Sequence, residues 1–480
     1  MDKYLYYKEK DYELYKGTMQ DVLSTFKKNS IDSIVCDPPY ELNFMNKGWD
    51  NSGVAFQPDT WKHCYDVLKE GGYLLAFGGS RTFHRIAVAI EDAGFEIRDT
   101  IMWLYGSGFP KSLNIGLAID KKNGVESEII GYETGTSPDF KDVGKKQKEI
   151  LGVSKLSFGQ VENSERKKLP IYKAQNEWQG WGTCLKPAYE PVIVARKPFK
   201  GSLVDNVIKN GVGGLNIDEC RVAFENTPNP ATNPLYRKQA NYKLPEKGQK
   251  SNGAVNFTSS KNETNELGRF PANVILTYDE TDFDEVCGGM PDTKSTTTTM
   301  PNLSDKNAES GIYSKLNAER IEHLGGFNDS GSASRYFYCA KASKKDRDEG
   351  LDLFEEKQKP EYCLAYHNGE KRNENAVRKN IHPTVKPVDL MQYLVRLVTP
   401  KNATILDCFM GSGSTGKAVM FENRERNANY KFIGVEMTEE YLPICQSRID
   451  YAKNKYEYDE IKEEKERKEA GIMNLFDFME

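Results

Sequence analysis

The chain has 480 residues, a formal net charge of −5 and 29% charged side chains. This is length enough for two or three domains with a sizeable core, and no run of 18 apolar residues exists to form a membrane-spanning helix. Nine cysteines without CxxC spacing argue against zinc and a disulfide framework, and with an opening Met1-Asp2-Lys3-Tyr4 that lacks a signal peptide's apolar region they fit a reducing, cytoplasmic setting.

Tyr4 to Tyr15 reads as an outer strand or hairpin. Gly17-Thr18-Met19-Gln20-Asp21 leads into a short helix near Val22 to Phe26, where Asp21 is either an N-cap or a ligand at the sheet edge. The organising stretch is Ser33-Ile34-Val35-Cys36-Asp37-Pro38-Pro39-Tyr40. Its apolar run is a buried parallel strand, ended by prolines that cannot donate to a ladder. Ligands bind at that edge of open α/β sheets, and the Asp37 carboxylate, the Pro38 carbonyl and the Tyr40 ring suit a planar group carrying an NH2.

Asn43 to Asp50 is an aromatic loop placed to act as a lid. Trp61 to Leu68 is a helix closed by Glu70-Gly71-Gly72, Tyr73 to Phe77 a strand, Thr82 to Ala93 a helix and Phe95 to Leu104 a strand. This alternation predicts a parallel sheet with crossover helices. From about Lys121 long periodic runs give way to Asn, Thr, Ser, Gly and Lys, with isolated strand-like pieces at Glu190 to Ala195 and Ala272 to Thr277. Basic clusters recur at Lys145 to Lys148, Arg166 to Lys168, Lys341 to Lys345 and Arg378-Lys379. At this net charge, such local concentration is what binding nucleic acid requires.

Order returns with the turn His382-Pro383-Thr384-Val385-Lys386-Pro387 and a helix over Val388 to Val398. Thr404 to Asp407 is a strand, and Phe409-Met410-Gly411-Ser412-Gly413-Ser414-Thr415-Gly416 is a glycine-rich turn into the helix Lys417 to Glu422. Phe432 to Glu436 is the next strand and Tyr441 to Tyr451 a helix. The glycine turn with Glu436 fits a dinucleotide fingerprint and also an S-adenosylmethionine site. It fails as a phosphate loop, because Ala418 stands where Ser or Thr must hold magnesium.

Asp37-Pro38-Pro39-Tyr40, the Phe409 to Gly413 turn and the His382 to Pro387 turn together resemble the amino-group (N6-adenine/N4-cytosine) DNA methyltransferases, in the order of the beta class. The resemblance covers roughly residues 15 to 120 and 380 to 450, with Cys408 in place of the family's usual proline. It implies a Rossmann-like sheet with helices on both faces. It also implies a catalytic half (1–122), a target-recognition insert (123–375), a cofactor-binding half (376–455) and a charged tail (456–480).

The expected activity is methyl transfer from S-adenosylmethionine to N6 of a flipped adenine in double-stranded DNA, with N4 of cytosine as the alternative. The residues implied for catalysis are Asp37, Pro38, Pro39 and Tyr40. Those implied for the cofactor are Asp21, Asp37, Thr384, Lys386, Asp407, Phe409, Gly411, Gly413 and Glu436. No metal is expected. Carbon-5 methylation needs a nucleophilic cysteine, and Cys36 sits in a strand interior. Rival readings are an NAD-dependent oxidoreductase and a fused nuclease built on Pro291-Asp292 and Glu355-x-Lys357. Ile472 to Phe476 in the tail resembles sliding-clamp-binding peptides but lacks their leading Gln, so a clamp stands as a second partner and a homodimer as an assembly.

Overall fold

The computed structural model describes residues 3–42, 48–105, 112–134, 168–222, 268–277, 292–295, 298–299, 324–325, 329–332, 337–339, 346–352, 354–358, 366–367, 370–371 and 377–455. Outside them lie most of the expected lid, the loop after Tyr105, Pro291 of the nuclease reading, most of the basic clusters and the whole tail with its clamp-like peptide. The chain forms two units, residues 1–107 with 188–480, and residues 108–187.

The first unit holds a ten-stranded sheet. Its strands are β1 (Leu5–Lys8), β2 (Tyr12–Lys16), β3 (Ile31–Cys36), β4 (Leu68–Phe77), β5 (Glu96–Tyr105), β6 (Tyr189–Arg196), β7 (Val274–Thr277), β8 (Tyr338–Cys339), β9 (Thr404–Asp407) and β10 (Lys431–Glu436). Their spatial order is β1-β2-β10-β9-β3-β4-β6-β5-β7-β8. All run in one direction except β1, antiparallel to β2, and β6, antiparallel to both β4 and β5. The expected hairpin at Tyr4 to Tyr15 is therefore β1 and β2 at the sheet's edge.

Helices cover both faces, as the two-sided apolar strands require. They are α1 (Met19–Leu23), α2 (Pro58–Val67), α3 (Phe83–Asp92), α5 (Leu203–Asn210), α6 (Val388–Val398), α7 (Ser414–Arg426) and α8 (Leu442–Lys453); α4 (Ile115–Asn123) belongs to the second unit. Ile34, Cys36, Leu74 and Ala76 pack with Val22, Trp61 and Ile90 of α1 to α3. Their neighbours Val35, Tyr73, Leu75 and Phe77 belong to the opposite core, with Leu394, Val419 and Ile449 of α6 to α8. The period-2 alternation of two central strands thus feeds two separate cores.

Two expectations change. The helix before Glu70-Gly71-Gly72 ends at Val67, and β4 already begins at Leu68, with an irregular register between its pairings to Ile31 and Ser33. Gly71 has φ +81°, and a Cβ there would lie 2.0 Å from Asn206 Nδ2. Glycine serves the close approach of α5 rather than a helix stop. Second, the stretch 123–375 is not one separate insert, because β6, β7 and β8 all pair within the main sheet. The backbone groups of an apolar strand need ladder partners, and β6 finds them on both sides.

In the second unit, α4 is tied to the segment after the antiparallel pair Glu128–Thr134 and Lys168–Lys173. Asp120 does this by accepting from Asn176 Nδ2 (2.6 Å) and the Gln175 backbone N–H (2.8 Å). Among the described residues no helix is long and apolar enough to cross a membrane, and no cluster of three or more His, Cys, Asp or Glu side chains could hold a metal ion.

Candidate active site

β3 and β9 are hydrogen-bonded neighbours, yet β3 has β4 on its other side and β9 has β10. The sheet order therefore reverses between them. A crevice opens at such a point beyond the carboxyl ends of the strands. Asp37 follows β3 directly, Asp407 ends β9 and Glu436 ends β10.

Asp37 lies at the centre of a charged cluster. Its Oδ2 accepts from Lys386 Nζ at 2.6 Å. Its Oδ1 is buried without a hydrogen-bond partner. Lys386 also faces Glu190 Oε2 at 3.3 Å, and its Nζ lies 5.3 Å from the centre of the Tyr40 ring. The Tyr40 hydroxyl donates to Glu190 Oε2 (2.7 Å), while Thr82 Oγ1 donates to the Tyr40 carbonyl (2.8 Å). Burial pushes the Asp37 carboxyl above the usual carboxylate range; Lys386 opposes this shift and Glu190 adds to it. Burial also works against the Lys386 charge, but Asp37 and Glu190 more than offset it, so the ammonium is held charged. Lys386, expected on the cofactor side, thus stands against Asp37. After Tyr40 the chain is pinned by Asp50, whose carboxylate accepts from the Glu41 and Leu42 backbone N–H groups.

The glycine turn is held from within. Asp407 accepts from the Phe409 backbone N–H (3.1 Å) and from Thr415 Oγ1 (2.5 Å), so it braces the turn against the first residues of α7. Gly411 and Gly413 take left-handed φ values of +54° and +76°. Their N–H groups donate to Glu436 Oε2 (2.8 Å) and the Met410 carbonyl (2.9 Å). A dinucleotide's diphosphate needs those glycine N–H groups and a positive surrounding. Here both N–H groups are spent on protein acceptors, and Asp37, Asp407, Glu190 and Glu436 outnumber Lys386. Neither glycine N–H is then left for a diphosphate, which argues against the oxidoreductase reading. Phe409 lies 6.1 Å from the Trp61 ring, and the His382 ring stacks edge-on with Tyr441.

Asp21 is not the N-cap. Thr18 caps α1, donating Oγ1–H to Asp21 Oδ2 (2.8 Å) and accepting from the Asp21 N–H. The neighbouring Gly17 N–H donates to the Glu436 carbonyl (3.0 Å), which sets this loop beside the β10 tip. Thr384 is exposed and its carbonyl meets His382 Nδ1. Cys36 and Cys408 sit together under the turn with Cys64, whose Sγ is 3.7 Å from that of Cys408. Burial pushes the Cys36 thiol well up, so it is no nucleophile.

Two groups escape sequence reasoning. Glu190 belongs to a recognisable strand, but nothing local says that its neighbours are β4 and β5. Asp346 is the other. Its Oδ1 meets Lys417 Nζ (2.8 Å) and Arg448 Nη2 (3.4 Å), and its Oδ2 accepts from the Val388 N–H (2.7 Å). Arg448 Nη1 in turn donates to the Ser412 carbonyl (2.6 Å) inside the glycine turn.

The sequence profile of the family N6_N4_Mtase, described as DNA methylase, matches residues 31–447. The Type II methyltransferase M2.LlaDCHI of Lactococcus lactis subsp. cremoris is 36% identical over 240 residues, covering 44% of this chain and 81% of its own length. The Type II methyltransferase M.BglI of Bacillus subtilis is 38% identical over 91 residues, which is 18% of this chain and 24% of that protein. A DNA adenine methyltransferase, YhdJ of Escherichia coli, is 32% identical over 91 residues, 19% of this chain and 29% of that one. The chain thus spans about a quarter to a third of the length of the last two.

Proposed function

Because this chain belongs to the DNA methylase family of amino-group (N6 and N4) methyltransferases, we propose that it methylates N6 of adenine at a defined sequence in double-stranded DNA. The observation that carries this is Asp37 Oδ1, a buried acceptor with no partner beside an aromatic ring at the sheet's switch point. A buried polar atom left unmatched costs about 1–3 kcal/mol, and an incoming N–H would recover that.

The family's methyl donor is S-adenosylmethionine, and the residues present fit it. The excess of carboxylates suits its positive charge. Gly411 and Gly413 bring bare backbone to the turn, and Glu436 and Phe409 stand beside it. When bound, it supplies a methyl group activated by a sulfonium. The protein's share is positioning. Asp37 Oδ1 and the Pro38 carbonyl accept the two N–H bonds of the flipped base's amine, which turns the nitrogen lone pair towards the methyl group. Pro39 fixes the turn and Tyr40 stacks on the ring. The amine's extra proton leaves from an already acidic cation, so no strong base is needed.

Adenine is favoured because Asp opens the Asp37 to Tyr40 motif and because one relative is named an adenine enzyme. Expression in a host lacking DNA modification, followed by nucleoside digestion and mass spectrometry, should give N6-methyladenine. N4-methylcytosine as the sole product overturns the choice of base and keeps the chemistry.

We assign target recognition to the parts of residues 123–375 outside the sheet. Exchanging such a part, with β6, β7 and β8 retained, for that of a relative should change the methylated sequence. An unchanged site in an active chimaera counts against the assignment.

A further inference from the structure

Two donors border the vacant oxygen of Asp37. Lys386 already spends one N–H on Oδ2 of the same carboxylate. Tyr40, three residues along the turn, couples electrostatically to Asp37 and stands within its reach. Neighbouring donors turn to relieve a buried unmatched acceptor, so a reason is needed for Oδ1 to stay unpaired.

Glu190 supplies it. Its Oε2 takes the Tyr40 hydroxyl at 2.7 Å and faces Lys386 Nζ at 3.3 Å. Its Oε1 takes the Tyr105 hydroxyl at 3.4 Å, which holds the carboxylate from the other side. The backbone beneath is rigid. Glu190 pairs with Trp103 of β5, and the next residues of β6 are flanked by β4 as well.

We propose that Glu190 keeps the catalytic acceptor vacant: it is a positioning residue that draws the Lys386 ammonium and the Tyr40 hydroxyl away from Asp37 Oδ1, leaving that oxygen for the substrate amine. The inference rests on the reading of Asp37 as the amine's acceptor. Charge matters as well as shape, because a neutral acceptor at position 190 competes poorly with Asp37 for an ammonium.

The test uses the full chain. Glu190→Gln keeps size and one acceptor but loses the charge; Glu190→Ala loses both. Single-turnover methylation should slow by roughly tenfold in the first and roughly a hundredfold in the second. S-adenosylhomocysteine affinity, measured by calorimetry, should stay within about twofold, which also reports a folded site.

A purely structural Glu190 would not show two further effects. Glu190→Ala combined with Tyr40→Phe should be faster than Glu190→Ala alone, because one of the intruding donors is gone. The acid limb of the rate profile should also move to lower pH in Glu190→Gln. The charged or titratable groups facing Asp37 are Lys386, Glu190, Tyr40 and Asp407, and removing the Glu190 charge makes Asp37 easier to ionise.

A crystal structure of Glu190→Ala should place Lys386 Nζ or the Tyr40 hydroxyl on Asp37 Oδ1. Wild-type rate in Glu190→Ala, or Oδ1 still unpaired in its structure, overturns the inference. Wild-type protein that methylates no DNA overturns the functional reading instead, and the crystal structure still decides where the donors go.

Discussion

Asp37→Ala should slow methyl transfer by about 100- to 1,000-fold or more, the range seen when one preorganised polar partner of a reacting group is removed. Binding of S-adenosylhomocysteine should survive, because the glycine turn is braced by Asp407, Glu436 and Arg448 rather than by Asp37. Calorimetry and single-turnover rates on the same preparation separate the two. A variant that turns over at the wild-type rate ends the mechanism.

The same residue sets a pH dependence. Asp37 works ionised, and burial followed by Glu190 lifts its carboxyl above the usual carboxylate range. The wild-type rate should therefore fall with decreasing pH at a higher pH than an exposed aspartate would give. The sign follows from the raised value: activity is present above it and lost below it.

The second large effect is on stability. Lys417 and Arg448 are fully buried cations that share Asp346. Asp346→Ala takes the carboxylate from Arg448, leaves Lys417 with Glu349 alone (2.8 Å) and uncaps the first N–H of α6, so it should cost about 3–5 kcal/mol in chemical denaturation. Lys417→Met should cost much less. It removes a charge and keeps the volume, and Asp346 retains Arg448 and the Val388 N–H. Equal losses in the two variants would show that the carboxylate is not the hub. Asp346→Ala should also loosen the glycine turn, because Arg448 holds the Ser412 carbonyl.

The parts of this site that were legible in the sequence are those encoded within a few residues. Asp37-Pro38-Pro39-Tyr40 announces a strand end because proline lacks an N–H. The Gly411 to Gly416 spacing announces a tight turn into a helix. Both faces of β3 and β4 are apolar, and the sheet is covered on both sides. What was not legible depends on pairing across the chain. Glu190 reaches Asp37 only because β6 enters between β4 and β5 in the reverse direction. Lys386 lies in a turn whose partner lies 349 positions away in sequence. Asp346 lies within a charged run, Lys344 to Glu349, that reads as an exposed face in sequence, yet it is buried against α7 and α8. Gly71 is ambiguous in sequence for a similar reason: helix stops and close packing contacts both select glycine, and only the neighbour Asn206 distinguishes them.

The pairing of β3 with β9 also has a consequence for biogenesis. Ser33 lies opposite Ile405, so the catalytic strand leaves the ribosome roughly 370 residues before its neighbour, an interval of roughly 20 to 75 s at about 5–20 residues per second. Throughout that interval one edge of β3 has no ladder partner, and closing so long a loop carries an entropic cost that only the finished β9 can offset. The crevice between the two strands therefore cannot form until β9 has emerged, roughly 370 residues after the strand that carries Asp37.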